Sequence, residues 1–400
     1  MFAQVSGTKL FHGGGGFSKA YLWYFCYLIS KTMKGVWLKG CFFSNLLKSS
    51  LLVLWVWGLY APVYAQLPEA KPLDYDTNYY HSYTDKVTTR LYSSVKYANF
   101  SIQDTRLKKV LRYDINNRVM LGLGANYSIF GLNIAFNLPF NKRDFDRFGE
   151  TEYIDLQSHL YLRKYVIDLF LQRYKGMYLA NSADMISGWD TPDSNYLRPD
   201  LRLVDAGLNV QYILNSKKFS YRAAYVQNEW QKRSAGSFIF GASAFYAMVK
   251  GDSSVVPTLV IPADFAEGSG YDKSTQFTLG VHGGYTQTFV AWQRFFLVIG
   301  LSAGPALGYA TVHETAINKK TKGGISVNLN GMIRGSIGYN SYRFYVGFFY
   351  LNHIIGNDLP INNLWNTMNT GNFRFNLVYR FSLKKPIKWL NVDYWEWLKK

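Results

Sequence analysis

The sequence predicts an all-β protein, an antiparallel transmembrane β-barrel of about 12 strands within a range of about 10–14, preceded by an N-terminal signal peptide. Three observations carry this prediction. Polar and apolar side chains alternate at period two over segments longer than the roughly five or six residues of an ordinary strand. No apolar run after the leader reaches the roughly eighteen residues expected of a membrane-crossing helix. Aromatic residues, 32 Tyr, 28 Phe and 11 Trp, make up 18% of the chain, and barrels set such rings in girdles at both membrane interfaces.

The leader comes first. From Met33, itself an alternative start, the order is basic, apolar, small: Lys34, Lys39 and Lys48, then Leu51 to Tyr60, then Val63 and Ala65 around Tyr64. This is the order of a cleavable signal peptide, with the cut expected after Ala65, so that residues 1–65 form the leader. Its apolar core of about ten residues is half the roughly twenty needed to cross a hydrocarbon layer about 30 Å thick. An uncleaved N-terminal anchor helix is the alternative. Residues 66–86 hold Pro68, Pro72 and several Tyr without alternation, and read as a periplasmic lead-in.

The barrel is expected over residues 87–383 as one domain. In Tyr153 to Leu162, Asp155, Gln157 and His159 share a face opposite Ile154, Leu156 and Leu160. In Val204 to Leu214, Asp205, Asn209 and Gln211 oppose Leu208 and Val210; in Ile325 to Tyr339, Asn328, Asn330 and Arg334 oppose Val327, Leu329 and Ile333. A tilted strand crosses a bilayer in about nine to eleven residues and shows lipid on one face and a polar lumen on the other. Ten further segments qualify as strands: Thr88 to Ile102, Leu111 to Tyr127, Ile129 to Leu138, Tyr165 to Tyr174, Phe219 to Val226, Ser237 to Met248, Thr275 to Val290, Phe295 to Ala310, Tyr342 to Leu351 and Phe373 to Leu383. Bacterial single-chain barrels close on an even number, hence about twelve.

Long connections are expected at Asn141 to Glu150, Ala180 to Asp200, Gly251 to Tyr271 and Asn352 to Thr370, and tight turns at Asn215 to Lys218 and Asn340 to Ser341. Long loops on one side and short turns on the other is the outer-membrane pattern. The final segment alternates Phe373, Phe375, Leu377, Tyr379 and Phe381 with Arg374, Asn376 and Arg380, and resembles the aromatic terminal strand of such barrels. Residues 384–400 then form a tail with Trp389, Trp395 and Trp397 among lysines, suited to a short helix on a membrane surface, with a disordered or lumen-tucked tail as the alternative.

The chain has 44 Lys plus Arg against 26 Asp plus Glu. The basic residues recur singly along strand-like segments instead of gathering in a recognisable module, which argues against nucleic-acid binding. Both cysteines, Cys26 and Cys41, fall in the leader, leaving no thiol for a disulfide or a thiolate metal site in the predicted mature chain. No Gly-x-Ser-x-Gly on a strand-to-helix turn, no dinucleotide fingerprint and no His-Glu-x-x-His pattern is found. No cofactor and no catalytic residue are therefore assigned.

The segment Tyr221-Arg222-Ala223-Ala224-Tyr225 with Gln231-Lys232-Arg233-Ser234-Ala235-Gly236-Ser237, together with Tyr174-Lys175-Gly176-Met177-Tyr178 and Leu197-Arg198-Pro199-Asp200, resembles an uncharacterised family of the Bacteroidota, domain of unknown function 4421. The resemblance covers about Tyr79 to Leu383 and implies an exported, barrel-like protein without an assigned activity.

If the barrel closes, Asp155, His159, Asp168, Asp205, His282, Arg334, Arg374 and Arg380 project into its lumen. There they either rim a channel or bind a solute, or neutralise one another as a plug of ion pairs, the favoured reading. Two functional classes follow, a structural or surface-interaction barrel and a channel or solute-binding barrel. An outer-membrane lipid hydrolase is a third reading for which no nucleophile is placed. Expected partners are outer-membrane lipid and the barrel-assembly machinery, and the expected location is the cell outer membrane.

Overall fold

An open sheet edge leaves a row of backbone N–H and C=O groups unpaired, and the strands of this chain avoid that by closing a ring. In a computed structural model the described residues are 74–383, with breaks at 128–129, 138–144, 190, 192, 264, 269, 316–320 and 362. The expected signal peptide and cleavage site, most of the expected lead-in and the expected tail at 384–400 lie outside the described residues. No helix among the described residues is long and apolar enough to cross a membrane.

The strands are β1 (Tyr80–Ser82), β2 (Lys86–Asp104), β3 (Lys109–Asp114), β4 (Val119–Tyr127), β5 (Phe130–Asn137), β6 (Glu152–Tyr161), β7 (Tyr165–Leu179), β8 (Tyr196–Ile213), β9 (Glu229–Gln231), β10 (Ala235–Lys250), β11 (Tyr271–Ala291), β12 (Phe295–Glu314), β13 (Thr321–Asn340), β14 (Phe344–Asp358) and β15 (Leu364–Ser382). Short helices are α1 (Phe145–Phe148), α2 (Ser182–Met185) and α3 (Tyr221–Tyr225). Ten strands form the closed antiparallel ring β2–β15–β14–β13–β12–β11–β10–β8–β7–β3 and back to β2. β4 and β5 extend the wall from the lower half of β2, and β6 extends it from β7.

Alternation was a sound guide to the wall, and four expectations are corrected. Leu111 to Tyr127 is two strands, because Asn116 turns the chain out: its N–H reaches Thr151 Oγ1 at 2.9 Å and its amide reaches the Gly149 carbonyl at 2.7 Å. Phe219 to Val226 is no strand; Ser220 accepts from the Ala223 N–H and caps α3. Asn215 to Lys218 is not the whole turn between β8 and β10, since the chain stays off the wall until Ala235. Asn352 to Thr370 is not a long loop, for β14 and β15 run on to Asp358 and from Leu364. Its Asn357, Asn366 and Thr370 are buried in the lumen, so residues that suggest a loop by composition are here the wet face of strands.

The outer surface is apolar. Leu169, Leu279, Leu307 and Val327 are 51, 53, 64 and 71% exposed on it. Toward the long-connection end, Tyr246, Phe277 and Tyr309 stand in register on β10, β11 and β12. Toward the short-turn end, Tyr212, Tyr285, Phe295 and Phe344 are likewise exposed. Inside, two apolar clusters occupy opposite ends. Phe100, Tyr113, Leu203, Val255, Phe265 and Leu364 fill the loop end, and Phe219, Tyr225, Phe296, Val298 and Tyr345 fill the turn end.

Candidate functional site in the barrel lumen

All eight residues singled out from the sequence face the inside of the wall. Side chains alternate faces along a strand, so β6 presents Asp155 and His159, β7 Asp168, β8 Asp205, β11 His282, β13 Arg334, and β15 Arg374 and Arg380. The structure joins only some of them. Asp168, fully buried, is held by the Arg334 guanidinium, by His159 Nδ1 at 2.8 Å and by the Asn209 amide at 2.7 Å. Arg334 also donates to Tyr161 Oη at 2.8 Å, and the Tyr161 ring stacks on Tyr225 of α3 at 5.4 Å. A charge with this many hydrogen bonds is stable where water is excluded.

Asp155 takes a different cation, Lys96 of β2, at 2.9 Å, and accepts from Tyr174 Oη at 2.7 Å. Gln172 lies between Asp155 and Asp205 in strand register. Asp205 is 0% exposed, with neither carboxylate oxygen hydrogen-bonded among the described residues. His282 Nε2 is 3.2 Å from the Gln211 amide nitrogen. Arg374 stands over the rings of Tyr92 and Phe349, at 4.7 and 5.5 Å, with no carboxylate partner among the described residues.

Arg380 has a structural job. Its guanidinium donates to the carbonyls of Gln227 at 2.7 Å and Ser341 at 2.6 Å, and to Asn340 Oδ1 at 2.9 Å. Arg90 donates to the Val226 carbonyl at 3.0 Å, and Tyr345 Oη to the Ala224 carbonyl at 2.9 Å. Together they fasten the segment after β8, which turns inward and fills the turn end. α3 is only five residues long, so most of its carbonyls lack intrahelical donors; the wall meets those of Ala223, from Asn340 Nδ2 at 3.3 Å, and Ala224, from Tyr345 Oη, while Gln227 of the same segment donates to those of Ala224 and Tyr225 at 2.9 Å. The same segment is tied to the lead-in, for β9 pairs with β1. Glu229 within it is met by Ser220 Oγ and by Arg222 at 3.6 Å.

Sequence reasoning missed Arg90, Lys96 and His353. The first two follow from alternation in Thr88 to Ile102. His353, its ring stacked on Phe170 at 5.4 Å and tilted against Phe245 at 4.0 Å, was hidden in a stretch read as loop. Two small cavities lie among the described residues of the lumen, each about 10 Å³, one bounded by Asn209, His282, Asn330 and His353 and one by Ser220, Gln231 and Asn340, each room for about one water. Among the described residues no group of three His, Cys, Asp or Glu side chains is arranged to hold a metal ion. His159 Nε2, the ring nitrogen away from Asp168, has no hydrogen-bond partner among the described residues.

A closed antiparallel ring with an apolar exterior and a polar interior defines the β-barrel class. The chain belongs to the family described as domain of unknown function (DUF4421), whose model matches residues 74–381. No curated protein matches the sequence. Among solved structures, the outer membrane protease OmpT from Escherichia coli is 9% identical, with 75% of this chain and 98% of that chain covered at a TM-score of 0.36. The Pseudomonas putida toluene transporter TodX is 7% identical, covering 75% and 91% at 0.20. An anion-selective porin from Comamonas acidovorans is 10% identical, covering 74% and 100% at 0.15. At these values the likenesses lend no argument about this chain's activity.

Proposed function

We propose that this protein is an outer-membrane barrel with a stoppered lumen, serving a structural or surface-interaction role and passing no solute. The observation that carries the reading is the closure of both ends. The turn end is filled by the segment around α3, the loop end by the cluster around Phe100 and Val255, and the layer between them by the Asp168–Arg334 and Asp155–Lys96 pairs. Membrane residence is supported by the exposed leucines and the aromatic residues at both ends of the wall, since an exposed apolar surface of that extent is a liability in water and a match for lipid. Export by the signal peptide, assembly by the barrel machinery and contact with outer-membrane lipid complete the proposal.

Planar-bilayer recording tests it. The full chain should insert without steady current, and a variant with residues 219–231 replaced by a Gly-Ser linker should stay closed as well, because the loop-end cluster and the ion-pair layer remain. A sustained ohmic current from the unaltered chain would overturn the sealed reading. Recovery of the processed protein as a detergent-free monomer would overturn the membrane reading.

A further inference from the structure

Four cations stand side by side on the outside of the wall. Lys175 on β7 is in register with Arg202 on β8, Arg202 with Lys250 on β10, and Lys250 with Lys273 on β11. Alternation turns all four outward, because their chain neighbours Tyr174, Leu203, Val249 and Ser274 are buried inside. Neighbouring strands lie about 4.8 Å apart, so the row is about 15 Å wide. None of the four has an ion-pair or hydrogen-bond partner among the described residues. The nearby carboxylates are Glu152, opposite Lys175, Asp272, occupied by His313 at 2.7 Å, and, two residues along the chain from Arg202 and Lys250 toward the loop end, Asp200, gripped by Arg198, and Asp252. Like charges directly opposite one another destabilise a sheet. The wall therefore carries a repulsion that an external anion relieves.

The surroundings identify that anion. Four residues further toward the barrel's middle on each strand, the same face carries Leu171, Ala206, Tyr246 and Phe277, and two beyond lie Leu169, Leu208 and Leu279. Charge, then aromatic ring, then aliphatic side chain is the polarity profile of a lipid from headgroup to tail. A free anion or an acidic protein would gain nothing from the leucines below the row. We infer that the Lys175–Arg202–Lys250–Lys273 row binds phosphate-bearing headgroups of lipids in the leaflet that meets the loop end, with their acyl chains lying down the apolar wall.

This inference rests on the membrane reading, and its test separates the two. The full chain is refolded in uncharged detergent and offered phosphatidylglycerol or phosphatidylcholine, and native mass spectrometry reads the lipid retained. Phosphatidylglycerol should be kept selectively. Lys175→Gln/Arg202→Gln/Lys250→Gln/Lys273→Gln should lose that preference, by about fivefold for each charge removed at low salt. Lys217→Gln/Arg343→Gln, at the turn end, should keep it. Heat-modifiable gel migration reports whether each variant folds; if the fourfold variant does not, Lys250→Glu alone should still weaken retention by about fivefold or more. Equal retention of both lipids, an unaltered preference in the variants, or equal binding of inorganic phosphate without acyl chains would overturn the inference. Failure to enter lipid at all would instead overturn the membrane reading.

Discussion

Arg334 of β13 and Asp168 of β7 meet across the barrel, with side chains 2% and 0% exposed. Neither charge has water to fall back on, so their mutual neutralisation holds the two walls in a fixed relation. Removing one member strands the other. Asp168→Leu is expected to cost about 3–5 kcal/mol, whereas Asp168→Leu/Arg334→Met should recover most of that loss. Urea unfolding of the barrel in vesicles measures both; a double variant as weak as the single one would show that the pair is not the unit.

Gly176, at φ 87°, lies where the β7–β8 register shifts between Lys175 and Met177. A Cβ there would overlap the Glu150 carbonyl oxygen, while at Gly188, φ 70°, a Cβ would meet nothing within 4 Å. Gly188→Ala should therefore cost only the left-handed backbone, about 1–2 kcal/mol, and Gly176→Ala about 1–3 kcal/mol beyond it. Thermal unfolding of the two variants side by side decides whether steric closeness or backbone alone governs the site.

Tyr83, in the turn before β2, is buried beside Arg380, and burial pushes its phenol up to about 12 against the opposing pull of that arginine. The folded state then holds its proton more tightly than the unfolded state. The resulting stability is fully present below about pH 10 and fades as pH rises from there to about 12. Tyr83→Phe should flatten the alkaline loss of stability across that window, read as unfolding midpoint against pH.

Arg198 latches the connection after β10. It grips Asp200 with two bonds of 2.9 Å and the Ser254 carbonyl with one of 2.7 Å, while Asp200 accepts from the Asp252 N–H at 2.8 Å. Lysine has no fork to reproduce this. Arg198→Lys should raise the rate of proteolytic nicking within residues 251–270 about tenfold, equivalent to ~1.4 kcal/mol of local opening, and leave the global unfolding midpoint nearly unchanged.

The wall was legible because lipid and lumen impose opposite demands every second residue, as in Ser326, Asn328 and Asn330 against Val327 and Leu329. The lumenal facing of Asp155, Asp168 and Arg334 followed from the same alternation. What alternation does not encode is partnership. Nothing local in Asp168 announces a contact with Arg334, whose position depends on how far each strand has slid along its neighbour. The inward segment was misread for a related reason: Phe219, Tyr221, Ala223, Ala224 and Tyr225 are all buried, so no wet face remained to betray a helix of one turn. In Asn352 to Thr370 composition misled where periodicity continued.

The stopper comes from the middle of the chain, yet Arg380, Asn340 and Tyr345, which hold it, belong to the last three wall strands. Its retention thus waits on the final portion of the polypeptide. A copy truncated before Arg380 would keep the inward segment but lose part of its clasp, so that an incomplete chain would carry its fault at the mouth of the ring.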